Sequence, residues 1–166
     1  MANQPRLTDA YHKLLMRLKE NWHVAQTELA PKLHYLIEKA KETALAAQEM
    51  SHEEAELIGR YLQRDVEDAQ CFLKKTGKEL KDWLVFDWQL AEQQAWEALQ
   101  VLADKTTIDR LEFEHELKEG PFYHTGEITG IGTLVCQGCG KILHFQKLAH
   151  IPPCASCHAT RFARLK

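Results

Sequence analysis

Apolar side chains recur every three or four residues along the first two thirds of the chain. This spacing places them on one face of an α-helix, first over residues 7 to about 29 and again after Pro31, which either kinks a helix or opens a new one. The residues of this stripe are Leu7, Tyr11, Leu14, Leu18, Trp22, Ala25, Leu29, Leu33, Ile37, Ala40, Ala44 and Ala47. The pattern therefore predicts helical structure from residue 7 to residue 47.

A further helix is predicted to begin at Ser51. Glu54 follows at the spacing of a capping box, in which each side chain satisfies a free backbone N–H of the first turn. Gly77 supplies a natural end, because glycine adopts the left-handed conformation that closes many helices. The apolar positions between these ends are Ile58, Leu62, Val66, Ala69 and Leu73.

From about Lys78 to Asp104 the apolar spacing alternates between four and three, which is the heptad seam of a coiled coil. Its residues are Leu84, Trp88, Ala91, Ala95, Ala98 and Leu102. Thr106 and Asp109 form another capping-box match before a short helix that ends near Lys118. Stripes of this length must be buried, so we expect a long antiparallel helical hairpin or coiled-coil-like bundle, with self-association as one way to complete it.

The pattern changes at Gly120-Pro121. The stretch that follows, FYHTGEITGIGTLV, is rich in β-branched residues and interrupted by glycines, which is typical of short strands and turns. We therefore predict a helical, coiled-coil-like domain over residues 1–118 and a small β domain over residues 119–166. The predicted fold class is mainly α, with a small β ribbon at its C-terminal end.

The composition is that of a folded globular protein, because 45% of the 166 residues are hydrophobic and 27% are charged. The first residues lack the basic start and apolar run of a signal peptide, and no apolar run is long enough to cross a bilayer. We therefore expect a cytoplasmic protein without membrane contact. In the cytoplasm, paired cysteines more often bind metal or carry out redox chemistry than form structural disulfides.

Four of the five cysteines form two C-x-x-C pairs, Cys136 with Cys139 and Cys154 with Cys157. Two residues between thiolates allow a tight turn to present both sulfurs to one ion, and two such turns supply the corners of a tetrahedron. A β segment of under about 50 residues buries too little surface to fold alone, so a metal worth roughly 10–16 kcal/mol would decide its folding. The spacing predicts one structural Zn²⁺ in a zinc ribbon.

Other sites share part of this cysteine pattern. The sequence CASCH at Cys154 matches a covalent haem motif, but that chemistry requires export and leaves the first cysteine pair unexplained. A thioredoxin-like dithiol requires a single pair at a helix start. Iron in the same four-sulfur cage, as in rubredoxin, is not distinguished from zinc by spacing. We expect His144, His150 and His158 to lie outside the ligand shell, and Cys71 to be a partly buried apolar residue.

The alternative hypothesis is an oxidoreductase similar to rubrerythrin, which joins a helical di-iron site to a four-cysteine iron site. Such helices carry E-x-x-H motifs. The chain has three matches, at Glu20/His23, Glu49/His52 and Glu112/His115. The first lies on the polar side of its helix, the second straddles a predicted helix start, and the third falls in a short helix. Since the sequence also shows no phosphate-binding glycine loop or nucleophile motif, we expect a protein that is not an enzyme.

Charge is distributed unevenly, although the net charge is only −3. The stretch from Ile128 to the end contains five of the 21 basic residues and no Asp or Glu. Residues 1–127 contain the other 16 basic residues and all 24 acidic residues, so their formal charge is −8. A basic tail on an acidic body indicates an acidic partner, such as nucleic acid. We expect the ribbon to bind protein or nucleic acid and the helices to mediate docking or self-association. The predicted contact residues are Lys141, Lys147, Arg161 and Arg164.

Several stretches near the C-terminal end share a distinctive pattern. They are Tyr123–Glu127, Gly130–Cys136 and the closing Cys154-x-x-Cys157 with Phe162 and Arg164 beyond it. Over about residues 120–164 they resemble the YbeL-like zinc-ribbon family of proteobacteria, whose function is uncharacterised. The resemblance implies a charged helical N-terminal part, a C-terminal ribbon and zinc at the two cysteine pairs, but no reaction or substrate.

One position departs from the usual ribbon pattern. Gly140 follows the first cysteine pair, whereas His158 follows the second. If this position requires a positive φ, histidine adopts it less easily than glycine, so slight strain in the second turn is expected. Metal binding by the cysteines does not depend on it.

Overall fold

The computed structural model describes residues 4–24, 32–105 and 122–165. The helices in these ranges are α1 (Gln4–Val24), α2 (Leu33–Ala46), α3 (His52–Thr76), α4 (Leu80–Trp83) and α5 (Gln93–Lys105). The strands are β1 (Phe122–His124), β2 (Ile128–Thr129), β3 (Gly132–Cys136), β4 (Ile142–Phe145), β5 (Ala149–His150) and β6 (Arg161–Arg164). None of the helices in these ranges combines the length and the apolar character that crossing a membrane requires.

Helices α1, α2, α3 and α5 form a bundle in which α1 contacts each of the other three and α3 also contacts α2 and α5. Their apolar stripes meet in one core, whose fully buried members include Leu14, Leu18, Ile58, Leu62 and Leu102. Each large aliphatic side chain buried in this way contributes about 1.5–3 kcal/mol. The predicted coiled-coil hairpin is not confirmed, because the stripes share a common core instead of facing a single partner helix.

The predicted ends of α3 are confirmed. The Glu54 N–H donates to Ser51 Oγ at 3.2 Å, and the Ser51 N–H donates to the Glu54 carboxylate at 2.8 Å. The second bond, with the nearby charge of Arg6, lowers the pKa of Glu54. At the other end Gly77 has a φ of 63°, and its N–H donates to the Leu73 carbonyl. Local sequence therefore determines the length of this helix.

The predicted helix over residues 78–104 is wrong in its first half. The chain forms only the short helix α4 and a 3₁₀ turn at Trp88–Leu90 before α5 begins. Val85 has a φ of 61°, a conformation that cannot continue an α-helix and that β-branched residues rarely adopt. The heptad seam is broken as a result, since Leu84 is fully buried whereas Trp88 is 47% exposed.

The predicted ribbon is present. Four antiparallel strands lie in the order β1-β6-β3-β4, and β2 pairs with β5 in a separate two-stranded sheet. The register places Phe162 on β6 between Tyr123 on β1 and Cys136 on β3. These three residues are buried together with Leu134 and Cys154 in a small core of the ribbon.

The ribbon and the helical bundle also share a core. Ile128, Ile131 and Leu148 are buried in the same apolar cluster as the helix residues. Helix α3 contacts β2, and α1 contacts both β2 and β5. In the described part of the chain, the two-stranded sheet of the ribbon is therefore packed directly on the helices.

Some predictions fall on residues outside the described ranges. They are the helical stripe through Pro31, the cap at Thr106 and Asp109, the short helix toward Lys118 and the domain boundary near residue 119. These stay predictions.

Candidate metal centre

The four cysteines predicted as ligands converge at one end of the ribbon sheet, and we call them the four-cysteine cluster. All four Sγ atoms lie within 4.8 Å of one another, with 3.5 Å between those of Cys136 and Cys157 and 3.6 Å between those of Cys139 and Cys154. A regular tetrahedron with metal–sulfur bonds of about 2.3 Å has edges of about 3.8 Å. The cluster is therefore already arranged around the position of one tetrahedral ion, and its cysteines form no disulfide.

Two matching turns carry the cysteine pairs. The Gly140 N–H donates to the Cys136 carbonyl, and the His158 N–H donates to the Cys154 carbonyl, each at 2.9 Å. Gly140 has a φ of 75° and His158 a φ of 59°. The left-handed backbone considered for His158 is thus present, and it costs a non-glycine residue about 1–2 kcal/mol. The His158 side chain is exposed and does not belong to the cluster.

Backbone N–H groups in both turns point at sulfur atoms. The Gly138 N–H donates to Cys136 Sγ at 3.3 Å. Hydrogen bonds from the backbones of Cys157 and Ser156 lower the pKa of the Cys154 thiol to about 6. At Cys157 the hydrogen bond from the Ala159 backbone is outweighed by those with Cys139 and Cys136, which raise the pKa of the Cys157 thiol. The backbone donors therefore favour the metal-binding thiolate form at Cys154.

The cluster is partly enclosed. Cys136 and Cys154 are buried in the ribbon core, whereas Cys139 and Cys157 are exposed. Four thiolate donors complete the coordination of a tetrahedral ion and leave no position for water or substrate, which is the arrangement of a structural zinc site. The donor set fits one structural Zn²⁺, as predicted, and such an ion would hold the two cysteine turns together.

The other side chains considered near the site lie elsewhere. His144 Nδ1 is 3.1 Å from Thr133 Oγ1, and His150 Nδ1 is 3.0 Å from the Gly126 carbonyl oxygen. Cys71 is half-buried on α3. Among the described residues, the four-cysteine cluster is the one group of His, Cys, Asp or Glu side chains arranged to hold a metal ion.

The di-iron alternative gains no support from the described helices. Glu49 lies beyond the end of α2 and forms a two-pronged ion pair with Arg17, at 2.5 and 2.9 Å. His52 is the first residue of α3, so it does not share a helix with Glu49. Glu20 is exposed on α1. The third motif, over residues 112–115, lies outside the described residues.

Arg164 was predicted to contact a partner, but it is buried. Its side chain is 4% exposed; Nη2 donates to Asp65 Oδ1 at 2.9 Å, and Nε lies 3.4 Å from Asp68 Oδ2. Nη2 also lies 3.0 Å from the Tyr123 hydroxyl oxygen. The guanidinium carbon is 4.9 Å from the centroid of the Trp83 ring and 4.7 Å from that of Tyr123. Arg164 therefore joins the ribbon to α3 and does not belong to an exposed contact surface.

Asp65 is the central acceptor of this buried network. Its Oδ2 accepts hydrogen bonds from the Tyr11 hydroxyl at 2.5 Å and from the Gly130 N–H at 2.7 Å. Burial, followed by the charge of Asp65, raises the pKa of Tyr11 well above its usual value, so the hydroxyl stays a donor. A Cβ atom at Gly130 would lie 2.9 Å from the Tyr11 hydroxyl oxygen, so glycine fits where another residue would force a shift.

Arg64 reinforces the same interface. It donates to the Glu127 carboxylate and to the Ile128 carbonyl oxygen, the latter at 3.1 Å. Its guanidinium carbon lies 3.8 Å from the centroid of Tyr123, whose hydroxyl bonds to Asp68. The stretch Tyr123–Glu127, part of the family resemblance, thus docks the ribbon on the helices and supplies no member of the four-cysteine cluster.

Sequence reasoning missed Asp65 and Asp68. One signal was available, because Asp65 falls on the apolar stripe of α3 between Leu62 and Val66. A carboxylate at a core position requires a buried donor or cation as its partner. The sequence does not say which of the 21 basic residues supplies it.

The remaining predicted contact residues are exposed but do not form one surface. Lys141 and Arg161 lie at the metal end of the sheet, where their carbonyls accept the N–H groups of Cys136 and Gln137. Lys147 lies in the bend beyond the opposite end of β4, whose four residues span roughly 13 Å. The predicted four-residue surface is therefore reduced to the pair Lys141 and Arg161.

Comparison with known proteins agrees with this geometry. The protein described as "Uncharacterized protein YbeL" of Escherichia coli strain K12 is 25% identical over 163 residues, which cover 96% of this chain and 96% of the relative. Proteins of the same name from E. coli O6:H1 and O157:H7 match to the same extent. No solved structure matches the chain. A family model described as "Zinc-ribbon containing domain" matches residues 20–166, so the resemblance is confirmed and the chain belongs to this zinc-ribbon family.

Proposed function

We propose that this chain is a non-enzymatic zinc-ribbon protein whose ribbon binds an acidic partner, with nucleic acid as the partner to test first. The zinc ion is structural in this proposal, because four thiolates leave it no position for a reacting molecule. The helical bundle supports the ribbon and supplies a surface for docking or self-association.

The exposed cations at the metal end of the sheet carry the proposal. Lys141 and Arg161 both flank the first cysteine turn. The guanidinium carbon of Arg161 lies 4.2 Å from the centroid of Phe122, whose side chain is 37% exposed. A cation stacked on an exposed ring, beside a second cation, suits a phosphate and a neighbouring base.

Charge elsewhere on the chain restricts this contact to the ribbon. No carboxylate side chain occurs from Ile128 onward, whereas the remainder of the chain carries a formal charge of −8. The acidic part would repel a phosphate backbone, so a nucleic acid would approach at the metal end.

The test is a fluorescence-anisotropy titration of labelled single- and double-stranded DNA and RNA with the zinc-loaded, full-length chain at several salt concentrations. We expect the logarithm of the affinity to fall linearly with the logarithm of the salt concentration. The double variant Lys141→Ala/Arg161→Ala should reduce both the affinity and the slope of this salt dependence. Lys147→Ala is the matched control, since it removes an equal charge beyond the opposite end of β4. No binding at low salt, or an equal effect of the control, would contradict the proposal.

A further inference from the structure

We propose that the open edge of β4 is a second binding surface, which takes an extended, acidic peptide segment of a partner protein. In the order β1-β6-β3-β4, β4 is the last strand, so within the described sheet only one of its sides is paired. This surface shares Lys141 with the cation pair at the metal end, but it does not depend on nucleic-acid binding.

The hydrogen-bond pattern determines which backbone groups of β4 are available. The Cys136 N–H donates to the Lys141 carbonyl, so the pair formed by these residues is a hydrogen-bonded one. Such pairs alternate along an antiparallel ladder, and Ile142 and His144 occupy the intervening positions. Both residues therefore direct their N–H and C=O groups away from β3, where an added strand could form about four hydrogen bonds.

The chain itself already uses the outer side of this strand at one point. The Gln146 carbonyl, next in the same alternation, accepts the Glu92 N–H at 2.7 Å. Glu92 immediately precedes α5. Among the described residues, the edge is thus closed at Gln146 and open at Ile142 and His144, which limits the length of the strand that can be added.

A groove of about 640 Å³ lies beside this edge and is lined by residues that include Leu90, His144 and Lys147. The loop between α4 and α5 flanks the edge, since the ring of Phe86 contacts that of His144 with 5.5 Å between centroids. Three apolar side chains of this loop are largely exposed, at 54%, 47% and 58% for Val85, Trp88 and Leu90. An open strand edge beside exposed apolar side chains is the surface used in recognition by strand addition.

The charge around the edge favours an acidic peptide. Lys141 and Lys147 flank the edge, and no Asp or Glu occurs from Ile128 onward. Two copies of β4 paired with each other would bring like charges onto one edge, which opposes a dimer. A peptide with acidic residues at alternate positions places its carboxylates near the lysines. Glu92, the one carboxylate among the described residues that line the groove, is 3.5 Å from His12.

The test titrates labelled nonapeptides with the zinc-loaded, full-length chain and follows their anisotropy. The probes are a peptide of alternating Glu and Val, its Lys–Val counterpart, and a Glu–Val peptide with prolines at two central valines. We expect only the unbroken acidic peptide to bind saturably. Its addition should also slow hydrogen exchange at the Ile142 and His144 amides, because both become donors to the added strand.

Two variants of His144 separate the contribution of its backbone N–H to peptide binding from that of its side chain. His144→Pro removes an outward N–H and should weaken binding about fivefold, whereas the matched His144→Ala keeps this donor and should weaken binding less. Lys147→Glu should weaken binding, and Arg161→Ala should leave it unchanged. Because Arg161 belongs to the proposed nucleic-acid contact and not to the β4 edge, Arg161→Ala distinguishes a failure of peptide binding from a failure of nucleic-acid binding.

Several results would overturn the proposal. They are equal binding of the lysine or proline peptide, no saturable binding of the acidic peptide, and unchanged exchange at the two amides with peptide in excess. If His144→Pro loses zinc and its fold, the proposal is judged from hydrogen exchange at the Ile142 and His144 amides of the wild type. A concentration-dependent dimer that His144→Pro abolishes would assign the edge to a second copy instead.

Discussion

Arg164 on β6 and Asp65 on α3 form an ion pair of 2.9 Å in which the two side chains are only 4% and 1% exposed. Either charge alone would be costly to bury, so each residue requires the other. Because α3 belongs to the bundle and β6 to the sheet that carries the cysteines, this pair fixes the ribbon on the helices. The exposed surfaces of the ribbon are thereby held in a defined position.

Removing the buried cation should be strongly destabilising. We expect Arg164→Met to lower the free energy of unfolding by about 3–5 kcal/mol, because Asp65 is left buried without its counter-charge. The matched variant Arg161→Met removes an exposed arginine from the same strand and should change it by no more than about 0.5 kcal/mol. Urea unfolding of both variants measures the difference, and similar values would show that the ion pair contributes little.

Asp68 should make stability depend on pH. Burial is the largest effect on this carboxyl and raises its pKa from 3.8 to about 6, although Arg164 and Tyr123 act in the opposite direction. A folded-state pKa above the unfolded value means that this group's contribution is greatest below pH 3.8 and is lost as the pH rises to about 6. The loss continues through that pKa and is nearly complete about one pH unit above it.

The measurement compares the wild type with Asp68→Asn. Between pH 5.5 and 7.5 we expect the wild type to lose about 1 kcal/mol of unfolding free energy relative to this variant, which cannot ionise. Urea unfolding at the two pH values gives both numbers. A difference between the proteins that does not change with pH would mean that Asp68 titrates in its ordinary range.

Zinc removal should affect the helices as well as the ribbon. We expect Cys154→Ser to abolish stoichiometric zinc binding and to unfold the ribbon, since structural zinc contributes roughly 10–16 kcal/mol in comparable sites. Because Ile128 and Ile131 belong to the core of the bundle, the helices should also melt at a lower temperature. Cys71→Ser is the control and should keep both the zinc and the melting temperature. Helices that melt unchanged in Cys154→Ser would contradict the shared core.

Gly130 lies so close to Tyr11 that a larger residue should destabilise the fold, and removing the Tyr11 hydroxyl should partly restore stability. A Cβ atom there would lie 2.9 Å from the Tyr11 hydroxyl oxygen and 3.2 Å from Asp65 Oδ2. Gly130→Ala should therefore destabilise the fold by about 1–3 kcal/mol. In a Tyr11→Phe background the same change should cost less, because the hydroxyl is gone. A double-mutant cycle measures this coupling, and strictly additive effects would refute it.

The parts of the structure that the sequence predicts correctly have local signals. The cysteine spacing places two turns around one ion, and the ends of α3 follow from Ser51, Glu54 and Gly77. The apolar stripes identify which helix faces are buried. They do not identify the partner of each face, since a stripe that suits a hairpin suits a bundle equally well.

The remaining features depend on contacts between distant parts of the chain. Asp65 and Arg164 are 99 residues apart, and nothing near either residue in the sequence identifies the other as its partner. Val85 adopts a positive φ that nothing in its own side chain favours, so the break before α5 carries no local signal. The burial of Arg164 follows from the docking of the ribbon, which the sequence pattern does not describe.

X-ray absorption at the zinc edge, together with the zinc content of the purified full-length chain, tests the metal assignment most directly. We predict one zinc ion per chain with four sulfur neighbours at about 2.3 Å and no lighter ligand. A nitrogen or oxygen atom in the first shell, or fewer than four sulfurs, would contradict a closed structural site formed by Cys136, Cys139, Cys154 and Cys157.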